Sequence, residues 1–172
     1  MPLARVFVNE GSFGILDAGE VPIETADWSN DLVARMDRGA LVLTGINTGN
    51  VSVQVATLEA PAEEHASAAW EQCAQVLLWA PTGQLRIESL VNGPHPDLPL
   101  LSTAGPGWYE TEIRAYGREL ERDGSNLHSI EQYLITIWPA HDAPPPPSTS
   151  IEQADDGGQL LRDRLLRGGS GA

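Results

Sequence analysis

The sequence predicts an all-β protein: a two-sheet antiparallel β-sandwich with one short helix and a Pro-rich C-terminal tail. Three observations carry this. Apolar and polar residues alternate along several short runs, the period of a strand with one buried face. Gly, Asn, Asp and Pro punctuate the chain between those runs at short intervals, as in sandwiches built from hairpins. No strand run alternates with a long helical one, so the βα repeat of a parallel sheet is missing. About seven or eight strands are expected, with the stretch Trp70 to Trp138 as the organising part.

Taken in order, residues 5–8 (RVFV) form the first short β run, and Ser12 to Leu16 continue it after a turn at Glu10-Gly11. Leu16-Asp17-Ala18-Gly19 is another turn signal. Asp27 or Ser29 is placed to cap a helix over about residues 30–38. In it Leu32, Val33 and Met36 lie at helical spacing and Gly39 stands where a C-terminal cap belongs. ALVLTGI and VSVQVATL, joined through Asn47-Thr48-Gly49-Asn50, read as a hairpin. Val51, Val53 and Val55 share its buried face, and Ser52 and Gln54 the solvated one. APAEEHASAA is a connection.

The central strands follow. WEQCAQVLLW and QLRIESLV flank a turn at APTG and read as paired strands. LPLL is expected as a brief edge strand. In WYETEIRAYG, Glu110, Glu112 and Arg114 share one face, and Tyr109, Ile113 and Ala115 the other. QYLITIW is apolar on both sides, as a central strand would be, and Pro139 ends it. Trp28, Trp70, Trp79 and Trp138 are expected in the core or at its rim. Residues 1–140 therefore make the sandwich domain. HDAPPPPSTS opens an extended linker over 141–157. Residues 158–172 carry a short amphipathic helix, with Leu160, Leu161, Leu165 and Leu166 on one side, and a flexible end.

Charge narrows the function. The chain of 172 residues has a formal net charge of −14, and all ten basic residues are arginine. Such a surface repels nucleic acid and anionic membranes and speeds encounter with a basic protein. The lack of lysine beside abundant Ala, Gly and Pro fits the coding bias of a GC-rich, bacterial genome. Cys73 is the single cysteine, so no disulfide forms within the chain, and its place in a strand suggests a buried apolar thiol. No signal-peptide pattern opens the sequence and no window is apolar enough for a membrane helix, so a cytoplasmic location is expected.

Chemistry is sparse. Glu110 and Glu112, two apart on one strand face, would place their Cβ atoms about 6–7 Å apart. That spacing occurs in glycosidases, but neighbours on one strand point the same way, and Arg114 beside them marks a charged solvent face. His65 beside Glu63 and Glu64, and His128, sit in polar connections without further ligands at metal spacing. Phosphate-loop, dinucleotide, nucleophile-elbow and zinc patterns are all missing. A non-enzymatic protein-binding domain without cofactor or metal is the reading the residues support. Its candidate contacts are Glu88, Glu110 and Glu112 on the domain, and Leu161 and Leu165 on the tail. The alternative is a scaffold module docking through that tail.

The order of features resembles the ComJ family, small bacterial proteins paired with a DNA-entry nuclease in competence and described as its inhibitors. The resemblance rests on FVNEGSFGILDAGEVPIETADW, with Pro22 to Trp28 as its Pro-x-x-x-x-Asp-Trp passage, then RGALVLTG and NTGNVSVQV. Ala104 to Tyr109 resembles the family's turn into a late strand, and Gln132 to Ile135 its closing strand. It covers roughly residues 5–139. It implies the fold and, as partner, a basic nuclease; it assigns no individual functional residue. The APAEEHASAAW insertion and the tail depart from the family pattern.

Overall fold

The structure, a computed structural model, describes residues 1–61 and 69–147. The tail contacts expected at Leu161 and Leu165 lie outside the described residues, as does His65. The described strands are β1 (Leu3–Val8), β2 (Ser12–Asp17), β3 (Val33–Arg35), β4 (Ala40–Leu43), β5 (Thr48–Thr57), β6 (Gln72–Ala80), β7 (Leu85–Ser89), β8 (Gly93–Pro94), β9 (Gly107–Tyr116), β10 (Ser125–Asn126) and β11 (Gln132–Pro139). They build two sheets, one ordered β1-β5-β11-β9-β6 with β10 beside β5, the other β3-β4-β2-β7-β8. The all-β sandwich is as the sequence predicts.

The inner faces make one core. Val6, Val51, Val53, Val55, Ile113, Tyr133, Ile135 and Ile137 come from the first sheet; Phe13, Ile15, Val42, Leu85 and Ile87 come from the second. Fully burying each such aliphatic side chain contributes about 1.5–3 kcal/mol. Phe13 meets Tyr133 edge to face across the sheets, with ring centroids 5.3 Å apart. Leu16, Ala34, Met36 and Leu41 form a smaller cluster on the second sheet's other face. β2 is therefore buried on both sides.

Four expectations are corrected. First, the sheets are not wholly antiparallel: β11 runs parallel to β5, from Gln132 opposite Ser52 to Ile137 opposite Thr57. Second, residues 30–38 are not a helix. The Asn30 side chain accepts from the backbone N–H groups of Leu32 and Val33, at 2.8 and 3.1 Å, and Asp27 accepts from Ser29 N–H at 2.9 Å. The same side chains that cap helices also make turns, and here they feed β3, which pairs with β4. Gly39 has the expected positive φ (64°), in the β3–β4 turn. The helical content of this region is one 3-10 turn at Ile23–Thr25.

Third, two expected hairpins are crossings between sheets. β4 belongs to the second sheet and β5 to the first; β6 belongs to the first and β7 to the second. The Glu10-Gly11 turn between β1 and β2 crosses in the same way. The two strands of each pair therefore lie in different sheets and share no strand ladder. Fourth, LPLL forms no strand. Leu98 and Leu101 instead plug the core, with Leu101 N–H bonded to Leu85 O at 2.8 Å.

Candidate functional site

Two crossings are held by buried carboxylates. Glu131, 1% exposed, accepts from Gly45 N–H and Ile46 N–H, both at 2.7 Å, and from the Tyr133 hydroxyl at 2.7 Å. Asp17, fully buried, accepts from Thr82 N–H, the Thr82 hydroxyl and Gln84 N–H, at 2.9–3.0 Å. Three donors per carboxylate offset the cost of removing the charge from water. Burial, then the adjacent Glu131 charge, pushes the Tyr133 hydroxyl far up, so it stays a donor. These groups are structural: each is consumed by the fold. Sequence reasoning missed both, because a carboxylate's distant backbone partners leave no periodic signal.

The exposed chemistry lies on the outer face of the first sheet. Register places Leu77, Glu110 and Trp138 in one row across β6, β9 and β11, and Gln75, Glu112 and Thr136 in the next. Glu110 is exposed, as predicted. Glu112 is ion-paired with Arg114 at 2.7 Å, and Gln75 Nε2 donates to it at 3.4 Å. A shallow cleft of about 150 Å³ opens between the rows, lined by Gln75, Val76, Leu77, Glu110, Thr111 and Trp138. Its floor is apolar and its rim carries one carboxylate with no ion pair among the described residues.

Glu88 does not join this patch. It sits on the second sheet opposite Gly14 and is 6% exposed, so the three glutamates expected together are split between two faces. Burial raises its proton affinity, and Arg86 partly offsets this. Both carboxylate oxygens lie against Gly19, in a separate cleft with Ala18, Gln84, Arg86 and Pro94.

Cys73 is exposed on β6, not buried as expected. Desolvation and then Glu112 push its thiol up, with Arg114 opposing. Trp28 is 56% exposed, so it is neither core nor rim, and Val21 and Ile23 on the same segment are also exposed. Trp70, Trp79 and Trp138 are half-buried or buried, as expected; Trp79 meets the Trp108 ring at 5.0 Å in a tilted contact, and Arg35 lies over the Trp108 ring at 5.9 Å. His128 is exposed, as read from the sequence. Among the described residues, no three His, Cys, Asp or Glu side chains are grouped to hold a metal ion. No helix there is long and apolar enough to cross a membrane.

No known protein family and no curated protein matches the sequence. Among solved structures the chain is similar to ComJ from Bacillus subtilis, an inhibitor of the DNA-degrading activity of NucA. The superposition has a TM-score of 0.55 at 14% identity and covers 81% of this chain and 96% of ComJ. The ComJ-like fold read from the sequence is thereby established.

Proposed function

We propose that this chain is a non-enzymatic inhibitor that captures a basic nuclease through the outer face of its first sheet. The observation that carries the reading is the fold shared with a nuclease inhibitor over nearly the whole length of that inhibitor. The net charge of −14 supplies the physical rationale, because an acidic surface competes for the groups with which a nuclease holds DNA phosphates. Glu110, above the apolar floor of Leu77 and Trp138, is the proposed centre. A lysine or arginine can lay its aliphatic stem on that floor and bring its charge to the carboxylate. Glu112, already paired with Arg114, contributes mainly to the field.

The test is degradation of plasmid DNA by NucA with increasing amounts of this protein, at low and high salt. Inhibition that weakens as salt rises supports the reading. Glu110→Arg should weaken binding by about tenfold or more at low salt and flatten the salt dependence. Undiminished DNA degradation at micromolar excess of the protein would reject it.

A further inference from the structure

The first sheet has two edge strands, β1 and β6. β1 is guarded: it carries Arg5, and the His95 ring bonds the carbonyl of Arg5 at 3.1 Å. The second sheet's edges, β3 and β8, are three and two residues long. β6 differs from all of them. It spans nine residues, QCAQVLLWA, with neither a charge nor a proline in the run. Those are the features natural proteins use to blunt an edge.

The direction of the backbone groups that pair with no other described strand can be read from two hydrogen bonds. Trp79 O accepts from Gly39 N–H at 3.2 Å, so Trp79 turns its backbone away from β9. Trp108, its partner on β9, turns its carbonyl toward Ala140 N–H at 2.9 Å, away from β6. With a period of two, Cys73, Gln75 and Leu77 share the outward orientation of Trp79, while Ala74, Val76 and Leu78 bond β9. Among the described residues, Gly39 is the one backbone group bonded to this outward edge, at its Trp79 end. Three consecutive outward N–H and C=O pairs therefore face away from the sheet, beside the cleft of Gln75, Leu77 and Glu110.

We infer that β6 is a docking edge that takes an extended, basic segment of a partner protein as an additional strand. Main-chain bonds to Cys73, Gln75 and Leu77 would supply affinity, and the cleft would receive an alternate lysine or arginine side chain. A second copy of this chain is the less fitting occupant: two bodies of charge −14 repel, and pairing β6 with itself would bring Glu110 and Glu112 of both copies to one surface. The inference rests on the inhibitor reading for the partner's basic character, not for the edge itself.

Amide hydrogen exchange read by NMR tests it, with the capped peptide Arg-Val-Arg-Val-Arg-Val as probe. In the free protein, the amides of Cys73, Gln75 and Leu77 should exchange faster than those of Ala74, Val76 and Leu78. Saturating peptide should slow the three outward amides at least tenfold. Gln75→Pro removes an outward donor without touching the β9 ladder and should abolish the effect; Leu77→Lys, should the proline variant not fold, should weaken it by adding like charge. Outward amides already protected in the free chain, or unchanged by peptide at millimolar concentration, would overturn the inference. Nuclease inhibition without edge protection removes the edge and leaves the inhibitor; edge protection without inhibition does the reverse.

Discussion

At the scale of single residues, the carboxylates divide by what satisfies them. Glu131 and Asp17 are each filled by three donors, so removing a charge there strands backbone N–H groups in the core. Glu131→Gln turns an acceptor into a donor facing another donor. It is expected to cost about 2–4 kcal/mol in a urea titration, while Tyr133→Phe, which removes one of the three bonds, should cost about 1 kcal/mol. Glu88 is the opposite case: buried, with no hydrogen bond or ion pair to another described side chain. Burial raises its folded proton affinity above the ordinary value of 4.5. The folded state thus holds that proton more tightly than the unfolded chain. Glu88 therefore favours folding in acid and loses that contribution as pH rises through and above 4.5. Glu88→Gln should raise the Tm at pH 7, and the gain should shrink toward pH 4. A gain independent of pH would mean that Glu88 is not titrating in this window.

At the scale of elements, inward and outward faces were legible and pairing partners were not. Alternation placed Val51, Val53, Val55, Ile113 and Ala115 inside and Ser52, Gln54, Glu110 and Glu112 outside, because burial period depends only on the strand itself. The crossings at Gly45 and Pro81–Gln84 failed as hairpins because their deciding contacts are remote: Glu131 lies 86 residues from Gly45, and Asp17 lies 65 from Thr82. Turn composition looks alike whether a chain re-enters its sheet or leaves it. The segment at Asn30 failed for a local reason, since one side chain serves both a helix cap and a turn into a strand. At the candidate site, Glu110 and its neighbours on β9 were legible from one strand's alternation. The cleft was not, because it needs β6, β9 and β11 side by side. Glycine identity at a crossing carries a direct test. A Cβ on Gly45 would stand 1.8 Å from the Arg118 carbonyl oxygen, and neither group is on a flexible side chain. Gly45→Ala should therefore cost about 3 kcal/mol or more, or prevent folding. Gly93→Ala, where nothing lies within 4 Å, should cost only the strain of its positive φ, about 1 kcal/mol.

At the scale of the whole molecule, the question is whether recognition belongs to the sandwich or to the tail. Charge and tail can be separated cleanly. A chain ended at residue 147 loses four carboxylates (Glu152, Asp155, Asp156, Asp163) and three arginines (Arg162, Arg164, Arg167), so its net charge moves only from −14 to −13. Long-range attraction to a basic partner is then nearly unchanged, while Leu161 and Leu165 are gone. If the sandwich is the inhibitor, the shortened chain should unfold in one cooperative transition. Its Tm should stay within about 2–4 °C of the full chain, the shift that 1 kcal/mol produces at this size. It should also retain NucA with the same affinity and the same dependence on salt. Parallel melts and binding isotherms at two ionic strengths decide it. Loss of binding from a chain that still folds would move recognition to the tail, because the net charge is nearly unchanged while Leu161 and Leu165 are gone.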